Sequence, residues 1–152
     1  MDTMNRPIVR LMNAGILMLA STFAINAQDL DWSADVKMLG DCEGCVFNGQ
    51  DFPERRLVGI NLVSAELSNI VFDGAAMNIA IFDGASLRGV RFVGMDLSGA
   101  SFVGSTLIDV TFDGADLIGA VFEGANLVLT DLQSARLCNT QTPDDILDNS
   151  DC

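Results

Sequence analysis

The stretch from Val110 to Leu127 reads VTFDGADLIGAVFEGANL and decides the fold. Phenylalanine stands at 112 and 122, leucine stands at 117 and 127, and an acidic residue followed by glycine trails each phenylalanine. Cut into fives from Cys45, the chain has Phe or Leu at the third position of 19 consecutive units centred on residues 47 to 137, with Met77 the one exception. A period held over so many units predicts a solenoid, in which each unit packs against its neighbours.

Each position of the five-residue unit has its own residue type. The first is small and the third is large and apolar, and residues two apart on an extended segment share a face, so both are predicted to point inward. The second is mostly polar, as in Asp96 and Asp116, and is predicted to point outward. The fifth is Gly in eleven of the 19 units, which indicates a turn with positive φ. A period of five fits neither a helix nor a long strand, so every unit contains its own bend.

These units resemble the pentapeptide repeat proteins, whose consensus is Ala-(Asp or Asn)-Leu-x-x. Ala115-Asp116-Leu117 and Ala125-Asn126-Leu127 show it in nearly pure form. The resemblance covers residues 45–139 and implies an all-β fold, a right-handed quadrilateral β-helix with four units, or twenty residues, per coil. It implies no single function, because one fold can carry many roles.

The residues support four units per coil independently, because a twenty-residue period produces four interior columns of nearly uniform composition. Uniform columns keep a constant width, and rings about 4.8 Å apart can stack in an offset manner. The predicted columns are Phe52, Phe72, Phe92 and Phe112; Phe82, Phe102 and Phe122; Leu67, Leu87, Leu107 and Leu127; and Leu57, Met77, Leu97, Leu117 and Leu137.

The segments outside the repeat have separate predicted roles. Residues 1–27 combine a short basic start, an uncharged apolar run from Leu11 to Ala24 and a small residue at Ala27, as in a secretory signal peptide cleaved after Ala27. A buried helix and an uncleaved anchor are the alternatives. Residues 28–44 are predicted to be an N-terminal cap with a helix after Ser33, residues 45–139 about 4.75 coils of β-helix, and residues 140–152 a C-terminal cap.

The C-terminal cap is predicted to be a short helical or irregular plug. Thr142 precedes Pro143, acidic residues follow, and Ile146 and Leu147 are expected to cover the last apolar layer.

The four cysteines, Cys42, Cys45, Cys138 and Cys152, allow three pairings, and an even number suits an exported chain. On a twenty-residue coil, Cys42 and Cys138 lie about 23 Å apart, whereas bridged Cα atoms lie within about 7 Å. We therefore predict Cys42 bonded to Cys45 and Cys138 bonded to Cys152. A redox-active Cys-x-x-Cys motif and a zinc site are weaker interpretations, because there is no second pair at ligand spacing and no histidine.

Composition argues against catalysis and against polyanion binding. The net charge of −13 disfavours direct contact with nucleic acid and with anionic membranes, and the chain has no histidine and no tyrosine. Repeated Asp-Gly steps, at Asp73, Asp83 and Asp113, are interpreted as turns rather than calcium ligands, because the columns alternate acidic residues with valine. No enzyme, cofactor or metal site is predicted.

The predicted function is a non-enzymatic exported scaffold that contacts a protein or an envelope component through its β-helix faces. Apolar outward residues at Ile108, Ile118, Val121 and Val128 offer a candidate partner or self-association face. The alternative is an acidic DNA mimic that protects gyrase, as the resemblance implies for some family members. An export signal, and Arg88 and Arg91 at mid-rod, count against it. The expected address is the bacterial periplasm or the exterior, with the thylakoid lumen as an alternative.

Overall fold

A computed structural model describes residues 40–52 and 54–152. The predicted signal peptide and the predicted helix after Ser33 lie outside these residues. Seven short strands follow one another along the chain: β1 Val46–Asn48, β2 Glu66–Ser68, β3 Ser86–Arg88, β4 Thr106–Ile108, β5 Asn126–Val128, β6 Thr140–Gln141 and β7 Leu147–Asp148.

Strands β1 to β5 form one parallel sheet in chain order. The register advances by twenty residues at each step, as in Leu67 opposite Leu87 and Leu87 opposite Leu107. Isolated parallel bridges with the same offset join the intervening segments, for example Asp51 to Val71. The chain is therefore a β-solenoid with four units per coil, and the predicted fold class is confirmed.

We name the four sides by their units. Side A contains residues 45–49 and the units that follow at intervals of twenty residues, namely 65–69, 85–89, 105–109 and 125–129. It carries β1 to β5. Side B starts at 50–54, side C at 55–59 and side D at 60–64, each repeating in the same way. Side A lies opposite side C, and side B lies opposite side D.

The corners after sides B, C and D are tight turns. In the stretch that opened the sequence analysis, Ala115 N donates to Phe112 O at 2.9 Å, and Gly114 between them has φ 65°. Positive φ at this place is what a type II turn requires, which explains glycine at the fifth position. The Asp113-Gly114 step is thus a corner of the coil.

The interior consists of stacked side chains. On side B the Phe52, Phe72, Phe92 and Phe112 rings stack at centroid distances of 5.4, 5.5 and 5.3 Å. On side D, Phe82, Phe102 and Phe122 lie 4.6 and 4.7 Å apart and within 2° of parallel. The central inward positions of sides A and C form the two aliphatic columns, in which Leu127 at the last level is only partly buried. Their buried aliphatic members are Leu67, Leu87 and Leu107 from side A, and Leu57, Met77, Leu97, Leu117 and Leu137 from side C.

The solenoid begins five residues earlier than the predicted boundary at residue 45. Cys42 N donates to Asn61 O and Gly44 N donates to Val63 O, both at 2.8 Å, so residues 40–44 form side D of the first coil. Cys42 is 6% exposed and occupies the central inward position that Phe or Leu occupies elsewhere.

The C-terminal cap differs from the short helical or irregular plug that the sequence predicts, since residues 140–148 form an antiparallel hairpin. Gln141 pairs with Leu147, and Thr142 N donates to Ile146 O at 2.8 Å. Asp145 has φ 61°, which a right-handed helix excludes. The prediction that Ile146 and Leu147 cover the last apolar layer is wrong, because their exposed fractions are 63% and 55%.

Candidate interaction surface

Side A is the most continuous and least charged surface of the described solenoid. Its three-residue strands form one five-stranded sheet, whereas the other sides pair through single bridges. The outward residues of its strands carry one acid, Glu66, and one base, Arg88, so their charges cancel. The remaining outward residues are Val46, Asn48, Ser68, Ser86, Thr106, Ile108, Asn126 and Val128.

The neighbouring sides B and D carry most of the negative charge. The outward residues of side D include Asp41, Glu43, Asp83 and Glu123 and, among the described units, neither lysine nor arginine. Side B carries Asp51, Glu54, Asp73, Asp113 and Asp131 and a single arginine, Arg91, whose Nη2 lies 2.9 Å from Asp73 Oδ2. Side A is therefore an almost neutral sheet between two acidic sides.

Aspartates at the second position of the unit serve the backbone. The Asp96 carboxylate accepts from Ser98 N at 3.0 Å, and the Asp116 carboxylate accepts from Ile118 N at 3.0 Å. Each satisfies a turn N–H two residues further along, which is the hydrogen bond that makes Asp and Asn frequent in turns. The Asp or Asn of the unit is thus explained by the fold.

Two other aspartates bond to the coil above. Asp73 Oδ1 accepts from Val93 N at 3.2 Å, and Asp83 Oδ1 accepts from Val103 N at 3.1 Å. Asp83 also accepts from Ser101 Oγ at 2.5 Å. These carboxylates hold consecutive coils together. Asp113, by contrast, is exposed, and its carboxylate receives no hydrogen bond from any described residue.

No group of acidic, cysteine or histidine residues with metal-binding geometry occurs in residues 40–52 and 54–152. Asp96 and Asp116 do lie on adjacent coils, in register. Arg136, one coil further, places its Nη1 3.6 Å from Asp116 Oδ2. Asp116 thus faces an arginine instead of standing alone beside Asp96.

All four cysteines are in disulfides. Cys42 bonds to Cys45 with Cα atoms 5.2 Å apart, and Cys138 bonds to Cys152 with Cα atoms 5.0 Å apart. The first bridge closes the corner between sides D and A of the first coil. The second attaches the C-terminal residue to side C of the last coil, so each disulfide fastens one end of the solenoid.

The apolar residues proposed as one face are divided among three sides. Ile108 and Val128 are neighbours on side A, whereas Ile118 lies on side C and Val121 on side D. Sequence reasoning missed Leu129, the most exposed large apolar residue described, at 84%. It occupies the fifth, turn position with φ 51°. A leucine at a position held by glycine in most units was the available signal.

Across the part of the chain that the structure describes, no helix reaches the length and apolarity needed to cross a membrane.

The fold and its five-residue units define a pentapeptide solenoid. Comparison of the sequence with known protein families finds a match to one of them. The family model for pentapeptide repeats matches residues 80–117 and 105–140. Residues 80–140 therefore match the pentapeptide repeat family, and the same five-residue units continue through the rest of the solenoid. No curated protein matches the sequence of the chain significantly.

Solved structures of pentapeptide repeat proteins have a similar fold. HetL, a pentapeptide repeat protein involved in heterocyst differentiation regulation in the cyanobacterium Nostoc sp. strain PCC 7120, is 28% identical with a TM-score of 0.68. The match covers 72% of this chain and 52% of HetL, so the chain spans about half the length of that relative. Rfr23 from the cyanobacterium Cyanothece 51142 is 20% identical with a TM-score of 0.55, over 72% of this chain and 89% of Rfr23, which shows the fold alone.

Proposed function

We propose that the protein is an exported, non-enzymatic scaffold in the periplasm or outside the cell, and that side A is its recognition surface. The observation that carries the proposal is the contrast between the neutral sheet of side A and the acidic sides B and D. Desolvating a charged side chain is costly, so a sheet of hydroxyl, amide and aliphatic side chains can be covered by a partner at lower cost.

Two disulfides support the exported location. Disulfides persist in oxidising compartments and are rare where thiols are kept reduced. All four cysteines of the chain are consumed in the two bridges, each at one end of the rod. The N-terminal residue of the secreted protein tests the exported location directly. Mass spectrometry is expected to find Gln28 at the N-terminus, and finding the unprocessed chain in the cytosol would overturn the proposal.

Matched threonines allow the recognition surface to be tested. Thr106 on side A and Thr111 on side B belong to the same coil, occupy the same position of the unit and are both partly exposed. A crosslinking pull-down from the native envelope fraction should lose its partner with Thr106→Glu and retain it with Thr111→Glu. Loss with Thr111→Glu alone would place recognition on side B and contradict the proposal.

A second candidate is the acidic DNA mimic, which the charge distribution favours. Residues 92–152 contain ten acidic residues and one arginine, a net −10 + 1 = −9, whereas residues 40–91 contain seven acidic residues and four arginines, a net −7 + 4 = −3. A DNA mimic should protect gyrase from quinolones in a supercoiling assay. The exported scaffold should have no effect there and should bind its envelope partner through side A.

A further inference from the structure

The sheet of side A ends at β5 with an open edge. At the two ends of β4, Ser105 O accepts from Asn126 N at 2.8 Å and Asp109 N donates to Val128 O at 2.9 Å, so both groups bond to the coil above. The equivalent groups one level up are Ala125 O and Leu129 N, and no described residue pairs with either. The β5 edge therefore offers a donor and an acceptor at the spacing of a parallel partner strand.

The chain's own C-terminal segment covers sides C and D at this end of the solenoid and leaves side A uncovered. Residues 145–149 would be next in register above β5, but the chain turns back at Thr142 and pairs β7 with β6 on side D. Asp151 N then donates to Leu137 O on side C at 2.8 Å. Sides C and D are thereby covered, while side A is left with a partly exposed Leu127 and with Leu129 84% exposed.

Acidic residues flank the open edge. Glu123 lies two residues before Ala125, Asp131 lies two residues after Leu129, and Asp109 lies one coil below Leu129. All three are exposed. The only arginine in residues 92–152 is Arg136, which lies on side C beside Asp116. Pairing two copies through their β5 edges would bring acidic ends together in a chain of net charge −13, whereas a cationic strand meets complementary charge at both ends.

We propose that the β5 edge binds an extended, cationic polypeptide segment of another protein as a sixth parallel strand of side A. The segment's central apolar residue would cover Leu127, and its flanking cations would lie near Glu123 and Asp131. Main-chain hydrogen bonds to Ala125 O and Leu129 N provide the pairing, as in other cases of strand addition to a sheet edge. The proposal rests on the scaffold function above and adds the open β5 edge of side A to its face as part of the contact.

The test uses the folded, disulfide-bonded protein and a seven-residue peptide, Lys-Ala-Thr-Leu-Val-Gly-Lys, capped at both ends. Titration followed by amide NMR should shift the signals of Leu127 and Leu129 and slow hydrogen exchange at Leu129 N. Two control peptides separate the contributions of charge and of main-chain hydrogen bonds. A peptide with glutamate in place of both lysines should not bind, because its charge is repelled. A peptide N-methylated at the threonine and the valine should not bind, because it lacks the N–H donors. Added salt should weaken the binding of the lysine peptide.

Protein variants complete the test. Glu123→Gln with Asp131→Asn should weaken peptide binding about fivefold, a value expected for two exposed charge pairs. The amide oxygen introduced by Asp131→Asn can still accept from Gln133 N, as the Asp131 carboxylate does, so the local turn is kept. Leu129→Gly should weaken binding as well, with Ile79→Gly as its control, since Ile79 is an exposed residue at the same turn position with φ 54° but on side C.

Equal binding of the glutamate peptide, equal binding of the N-methylated peptide, or peptide shifts confined to the face of side A would overturn the proposal. Dimerisation of the free protein that is abolished by Leu129→Gly would overturn it too, because a second copy would then occupy the edge. If the envelope partner is lost with Thr106→Glu but unaffected by the Glu123, Asp131 and Leu129 variants, side A remains the recognition surface and only the edge proposal fails.

Discussion

Replacing Phe102 by leucine tests whether ring stacking, beyond burial, stabilises the solenoid. Phe102 is fully buried and lies between Phe82 and Phe122, with ring centroids 4.6 and 4.7 Å away and planes within 2°. Leucine keeps the position apolar but ends both stacks. Phe122, in the same column and also fully buried, stacks on Phe102 alone, because Thr142 occupies the next level.

The expected magnitudes follow from the number of stacks. An aromatic pair contributes about 0.5–1.5 kcal/mol beyond its buried area. Phe102→Leu should therefore lose about 1–3 kcal/mol of unfolding free energy from stacking, and Phe122→Leu about half as much. The loss of apolar volume is the same in both variants and cancels in the difference. Phe102 also makes two edge contacts with neighbouring rings where Phe122 makes one, so Phe102→Leu is predicted to be less stable than Phe122→Leu by about 1–3 kcal/mol.

Urea unfolding followed by far-ultraviolet circular dichroism, with the disulfides intact, measures this difference. Phe112→Leu is the control from the opposite column, since Phe112 stacks on Phe92 at 5.3 Å and has Leu132 at the next level. It should fall between Phe122→Leu and Phe102→Leu, because Phe112 makes edge contacts with both Phe102 and Phe122. Equal losses for Phe102→Leu and Phe122→Leu, at unchanged denaturant slope, would refute stacking as a separate stabilising contribution.

Three further predictions concern the surface and the ends. Asp83→Ala should lower the unfolding free energy by about 1–2 kcal/mol, because it leaves a turn N–H without its acceptor, whereas Asp113→Ala should change it by less than about 0.5 kcal/mol in the same urea titration. Cys138→Ala with Cys152→Ala should cost about 3 kcal/mol by loop entropy, measured as a lower midpoint. Hydrogen bonds from Ser150 lower the pKa of Asp148 below its usual value of 3.8. Its stabilising contribution is therefore present above that pH and is lost as pH falls through the lowered value, which a carboxyl NMR titration of Asp148 would show.

The fold was predictable because each unit follows the same local rules. Small and large inward residues, an Asp or Asn that caps a turn and a glycine with positive φ recur along nineteen units, so one atypical unit does not obscure the pattern. The start of the solenoid was missed for the corresponding reason. Gly40 to Gly44 has Asp at the second position and Gly at the fifth, but Cys42 stands where Phe or Leu marks the other units.

The C-terminal end could not be predicted from the period, because its residues leave it. Thr142 and Pro143 allow either the first turn of a helix or a tight reversal, and the choice depends on pairing between β6 and β7 and on the left-handed conformation of Asp145. The neutrality of side A, in contrast, could have been read directly from the sequence once the twenty-residue coil assigned outward residues to sides.

In the stretch from Val110 to Leu127, one aspartate is required by the fold and another is not. Asp116 caps Ile118 N and is explained by the turn, whereas Asp113, three residues earlier, contributes no such bond. Features that repeat are accounted for by the solenoid, so they carry little information about a partner. Departures from the repeat carry more: an unbonded carboxylate, a leucine at a turn, an uncovered strand edge. In this protein the last two occur together at Leu129 and β5, which makes that end of side A the place where recognition is most directly tested.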